Sequence, residues 1–171
     1  EQYGIHPLRS RVIYNGADPS LFYPTEDPLP MDSILRLVAV SWSMNIHKGF
    51  AKLAEISQIP GVEIRFIGRW PPSIDTAKVI LLGTKTSPQI AEILRQSHAM
   101  VHAAENDPCS NAIIEALACG LPVLFKDTGG NRELAGDYGI ALTNNAKTDI
   151  EQLRCSYKEL REKILEHRSR F

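Results

Sequence analysis

Two carboxylates, Asp107 and Glu115, stand in the most informative stretch of the sequence, Glu105–Val123 (ENDPCSNAIIEALACGLPV). A helix is expected over Ser110–Cys119. Ala112, Ile113, Ile114, Ala116, Leu117, Ala118 and Cys119 make it apolar on every side, the pattern of a helix buried in its fold. Glu115 sits in the middle of that pattern, where a carboxylate is costly unless it has a partner. It either holds a structural partner or hydrogen-bonds ligand hydroxyls near the surface. Asp107 lies in the loop that feeds the helix, where it either shapes a turn or faces a ligand. Ser110 or Asn111 near the helix start can satisfy free amide donors. Donors left free there form an anion site strengthened by the helix dipole. Lys48 is the candidate cation, or else a solvated lysine at a helix start, where the dipole disfavours it.

The elements that must position these groups alternate along the chain. Strands are expected at Leu35–Ser41, Val62–Ile67, Val79–Leu82, Ala99–Ala103, Pro122–Phe125 and Ile140–Leu142. Between them the apolar spacing predicts helices over His47–Ser57, Pro88–Gln96, Ser110–Cys119 and Asn131–Ala135. This alternation implies βαβ units: an α/β, Rossmann-like, doubly wound and mostly parallel sheet with helices on both faces. In such sheets ligands bind beyond the carboxyl ends of the strands. Residues 17–34 carry four prolines among Asp, Ser and Thr and read as a linker or irregular surface crossing. A last amphipathic helix, Thr148–Phe171, shows a stripe of Ile150, Leu153, Tyr157, Leu160 and Ile164, with Glu159 and Lys163 paired on its wet side. It either closes on the sheet or reaches another domain.

Composition excludes several classes. The chain has 171 residues, 43% apolar and 23% charged, with net charge −1. It can bury a core without staples and gives no global attraction to nucleic acid or an anionic membrane. Three scattered cysteines form no C-x-x-C pair and fit a reducing, cytoplasmic setting. No apolar run approaches the roughly 18 residues of a membrane helix. The dinucleotide fingerprint, the P-loop and the G-x-S-x-G elbow are all absent. His98 and His102 are four apart, but on an expected strand and with no completing ligands, so no metal is expected. His102, near a strand's carboxyl end, borders the expected site. Trp42 and Trp70 flank loops as either core or cleft rim.

The spacing of Asp107, Glu115 and the following Ala-x-Ala-x-Gly-x-Pro-Val resembles the signature of family-4 glycosyltransferases. These are retaining enzymes of the GT-B fold, in which two Rossmann-like domains face a cleft. The texture of SWS…KGF with DPCSN…EAL is most similar to bacterial surface-polysaccharide enzymes. The resemblance runs from about Val12 to Leu142 and implies the C-terminal, donor-binding half. It implies that Glu115 binds the ribose of a nucleotide sugar and that Asp107 contacts the donor sugar, where the family norm is Glu. Lys48 matches the lysine that binds the diphosphate, while Ser43 stands where the family has arginine. Ser43 or Asn45 would assist Lys48. Cys109, Ser110 and Asn111 belong to the loop whose amides approach sugar and phosphate. Gly83, with Leu82 and Thr84, would border the nucleobase or simply end a strand. Gly129 and Gly130 resemble a glycine pair that lets backbone approach the donor or merely turns the chain. Glu133 follows at the family's spacing.

By this resemblance, residues 1–11 are the tail of an N-terminal domain, 12–34 an opening strand and linker, 35–147 the nucleotide-sugar-binding domain and 148–171 the closing helix. The implied function is binding of a UDP- or GDP-sugar for glycosyl transfer in polysaccharide or glycoconjugate synthesis, with no cofactor and no metal. The expected partners are that donor and the missing acceptor domain, without which turnover is not expected. Peripheral membrane association would come through that half. The alternatives are a GT-like binding module without catalysis, or half of another GT-B enzyme such as a nucleotide-sugar 2-epimerase.

Overall fold

The computed structural model describes residues 15–171; the expected N-terminal tail, 1–11, and residues 12–14 of the expected opening strand lie outside them. Six strands, β1 (Leu35–Ser41), β2 (Val62–Gly68), β3 (Ile80–Gly83), β4 (Ala99–His102), β5 (Val123–Phe125) and β6 (Gly139–Ala141), form one sheet in the order β3-β2-β1-β4-β5-β6. Every pairing is parallel, with β1 in register with β2 from Leu35 opposite Val62 to Ser41 opposite Gly68. Five helices connect or close it: α1 (Phe50–Ser57), α2 (Ser87–Arg95), α3 (Asn111–Ala118), α4 (Asn131–Ala135) and α5 (Ala146–Glu166). Strand ends differ from the expected ones by a residue or two, the usual uncertainty of element termini.

Strand alternation divides the core between two faces. In β1, Leu35, Leu37 and Ala39 join Phe50, Leu53 and Ile56 of α1, while Val38 faces α2 and α3 through Ile90, Leu94, Ile113 and Leu117. Each fully buried aliphatic or aromatic side chain contributes about 1.5–3 kcal/mol. Trp70 settles as core: its ring meets Phe50 and Phe66 edge-on at 5.0 and 5.1 Å. The 21-residue α5 serves both layers, with Ile150 and Leu153 packed on α1's side and Ile164 on the α3 side.

Three expectations need correction. The helix predicted from His47 is broken. A 3-10 turn, Ile46–Lys48, ends at Gly49 in the left-handed region (φ 77°), and α1 begins only at Phe50. The last helix starts earlier, at Ala146, and gives way to a 3-10 turn at Arg168–Arg170. On its wet side the Glu159–Lys163 pair does not form; Lys163 Nζ lies 3.7 Å from Asp137 Oδ1 instead. Among the described residues no helix is long and apolar enough to cross a membrane.

The proline-rich crossing is held to the domain by arginines. Arg95 donates to the carbonyl oxygen of Leu21, Arg161 to that of Thr25 and Arg154 to those of Asp32 and Ser33. His98, fully buried, accepts from the amide of Arg36 through Nδ1 (2.9 Å), so its Nε2 carries the proton and donates to the Pro30 carbonyl (3.1 Å). This histidine joins the linker to the amino end of β1, and burial pushes its pKa down.

Candidate functional site

The strand order reverses between β1 and β4: the chain runs outward through β2 and β3, then returns to add β4, β5 and β6 on the other side. The loops after β1 and β4 therefore part at the carboxyl edge and leave a crevice between them. Three contacts fix their relative position. Glu105 N donates to the His47 carbonyl (2.8 Å). A Cβ on Gly49 would fall 2.3 Å from the Ala103 carbonyl oxygen, so only glycine permits this approach. Lys48 Nζ donates to Asp107 Oδ2 at 3.0 Å. The run Lys48-Gly49-Phe50 thus places a cation in the crevice, a backbone against the neighbouring loop and a ring in the core.

The loop after β4 is braced from behind. Gly130 N donates to the Asp107 carbonyl (2.8 Å), and a Cβ on Gly130 would lie 2.1 Å from the Pro108 carbonyl oxygen. Asn131, fully buried, donates through Nδ2 to the carbonyls of Ala104 and Lys126, both at 2.9 Å. Ser110 caps α3, its Oγ accepting from Ile113 N (3.4 Å). The first α3 amides, of Asn111 and Ala112, have no partner within the helix, and both residues line the crevice. Asn15 Nδ2 donates to Asn111 Oδ1 (2.8 Å), which ties the opening segment to the same turn.

These elements enclose a cavity of about 390 Å³. Of the residues singled out in sequence, Lys48, Asp107, Glu115, Ser43, Cys109, Ser110 and Asn111 line it. Asn45, Gly83, Gly129 and Gly130 lie outside the lining. Asn45 caps the 3-10 turn by accepting from His47 N, and Gly83 ends β3 with open space beyond its Cα. Gly129 and Gly130 pack against the backbone of Asn106–Pro108. The sequence reading had no signal for Ser87 and Ile90 of α2, which sequence distance separates from the other lining residues. Trp42, 56% exposed, proves to be rim, and His102 lines the floor. A larger depression, about 560 Å³, lies between α1 and the start of α5 and holds none of Asp107, Glu115 and Lys48.

The electrostatics of the two acids differ. His102 and Lys48 hold the Asp107 carboxyl well below the usual carboxylate range, against the opposing effect of burial. It is therefore an acceptor at any pH near neutral. Glu115 has no hydrogen bond or ion pair to any described residue, and burial pushes its pKa up. A half-buried carboxylate on a cavity wall without a protein partner is available to a ligand's donors. Lys48 is the single ammonium group on the lining among the described residues. With the α3 amides it makes the crevice suited to a ligand carrying both anionic groups and hydroxyls.

Comparison with known proteins agrees with this arrangement. The chain matches the family described as Glycosyl transferases group 1 over residues 76–168, more than half its length. It is 24% identical to the phosphatidylinositol N-acetylglucosaminyltransferase gpi3 subunit of Schizosaccharomyces pombe, over 96% of this chain and 38% of that one. The chain therefore spans about two fifths of the length of this curated relative. Among solved structures it superposes on the C-terminal domain of a group 1 glycosyl transferase (LpcC) from Francisella tularensis, with TM-score 0.62 and 18% identity. That match covers 87% of this chain and 92% of that one. It also superposes on Anabaena Alr3699/HepE in complex with UDP-glucose, with TM-score 0.67 and 21% identity, over 99% of this chain and 60% of that one. The six-stranded parallel sheet, the crevice at its reversal point and the family match together place this chain in the group 1 glycosyl transferases, with the fold of their C-terminal domain.

Proposed function

We propose that this chain is the donor-binding half of a retaining, family-4-type glycosyltransferase and that its crevice takes a UDP- or GDP-sugar. The observation that carries the reading is Glu115, a half-buried carboxylate with no partner among the described residues on the wall of the cavity that Lys48 enters. The UDP-glucose held by Alr3699/HepE supports a uridine nucleotide, and the name of the gpi3 relative supports glycoconjugate assembly.

Each residue has a physical task in this reading. Glu115 accepts hydrogen bonds from the ribose hydroxyls, and its desolvation is repaid by those donors. Lys48 and the free amides of Asn111 and Ala112 hold the diphosphate and stabilise the charge that grows on it as the sugar departs. Asp107, ionised, accepts from a hydroxyl of the donor sugar and orients it. Ser43 Oγ accepts from Asn45 N (3.2 Å) and shapes the turn that presents Lys48. The acceptor would come from the facing domain of the full protein, and bond formation needs both halves in register.

The test is calorimetric titration with UDP, GDP and their sugar conjugates. The reading expects saturable binding of one nucleotide, weakened by Glu115→Ala and by Lys48→Ala. Ser43 in the place of the family's arginine favours a second reading, a nucleotide-binding module without catalysis. Turnover of the bound donor by the full-length protein separates the two.

A further inference from the structure

His102 ends β4 on the floor of the cavity. Its side chain is 7% exposed, and Nε2 is fully buried without a hydrogen bond to any described residue. Its acidic neighbour is Asp107 Oδ2 at 3.5 Å, and that same oxygen receives Lys48 Nζ at 3.0 Å. The two donors thus converge on one carboxylate oxygen, and the shorter contact belongs to the more exposed group, Lys48, at 34%. Asp107 Oδ1 has no hydrogen-bond partner among the described residues, and Asp107 shares the cavity with Glu115.

An ionised carboxylate only accepts, so an Nε2 that faces it favourably carries a proton. While Lys48 holds Oδ2, the imidazole contact is slack. A diphosphate that draws Lys48 away removes the shorter of the two contacts to Asp107 Oδ2, at a place where an unpaired charge is costly. We infer that His102 is a positioning residue for donor binding: it takes over Asp107 Oδ2 when Lys48 turns to the diphosphate, and so holds Oδ1 toward the donor sugar. The inference rests on the donor-site reading and adds to it a relay of partners on one oxygen. His102 touches no donor atom in this account; it acts through Asp107.

The test has two arms on the full chain. In the first, long-range proton–nitrogen NMR reads the imidazole tautomers without ligand. The expected result is an Nε2-protonated His102 that loses its fixed tautomer in Asp107→Ala, while His98, held between Arg36 N and Pro30 O, stays unchanged as an internal control. In the second arm, titrations compare UDP with UDP-glucose and GDP with GDP-mannose. His102→Leu should lower the affinity ratio of sugar conjugate to bare nucleotide about tenfold, the effect of one charge-assisted hydrogen bond. His102→Gln, which keeps a donor, should restore most of it. An unchanged ratio in a folded His102→Leu chain, or an unprotonated Nε2 in a chain that binds nucleotide, overturns the role of His102 alone. Failure of the wild-type chain to bind any of the four probes overturns the donor-site reading, and the role of His102 with it.

Discussion

Lys48 Nζ and Asp107 Oδ2 meet at 3.0 Å across the reversal point of the sheet, one side chain from the loop after β1 and the other from the loop after β4. This pair spans the crevice, and both residues line its cavity. Everything the site does in our account begins with breaking that contact.

His102 and Lys48 together, by holding the Asp107 carboxylate, make stability depend on acid. Because the Asp107 pKa is lowered in the folded chain, its contribution is fully present above the unfolded carboxylate value of about 3.9 and is lost as pH falls below it. Urea unfolding midpoints of wild type should therefore fall more steeply between about pH 4 and pH 2 than those of Asp107→Asn. Parallel curves for the two proteins would contradict the assigned pairing.

Glu115 has the opposite sign. Its folded pKa is raised by burial, so the penalty is absent below the unfolded value and grows as pH rises through the folded one. Glu115→Gln should raise the melting temperature at pH 7, with no gain at pH 4, while weakening nucleotide binding. Thermal melts at the two pH values, paired with titrations, check both halves of this trade.

The glycine pair supplies a third expectation. Alanine at Gly130 would drive its Cβ into the Pro108 carbonyl and displace the loop that carries Asp107. Gly130→Ala should cost about 1–3 kcal/mol in urea unfolding and reduce ligand affinity as well. An unaltered affinity would show that the loop's position does not matter to the site.

Much of this arrangement was legible in the residues, for identifiable reasons. Strand and helix alternation follows from periodicity, and the apolar residues around Glu115 single out that carboxylate in the sequence itself. The break at Gly49 was less visible, because helical spacing continues through it. What imposes the break is the approach of Ala103, a contact between loops far apart in sequence. Ser87 and Ile90 were invisible for the same reason: only the packing of α2 beside α3 brings them to the cavity. Glycines 129 and 130 carried a signal of close approach, and the structure shows the neighbour to be the 106–108 backbone.

Cysteine chemistry gives an independent probe of the crevice. Cys119 is buried, which pushes its thiol up to about 12, while Cys155 is exposed and Cys109 lines the cavity. At pH 8 a thiol reagent should label Cys155 fast, Cys109 more slowly and Cys119 only on unfolding. Saturating nucleotide should slow Cys109 severalfold and leave Cys155 unchanged; equal slowing of both would point away from the crevice.

The central claim is that the crevice between the β1 and β4 loops is a nucleotide-sugar site. Its most direct test is calorimetric titration of wild type, Glu115→Ala and Lys48→Ala with UDP, GDP and their sugar conjugates. The account predicts saturable binding of one nucleotide series, weakened about tenfold or more by each substitution. Binding that both substitutions leave intact would contradict it, because the ligand would then sit elsewhere on the chain.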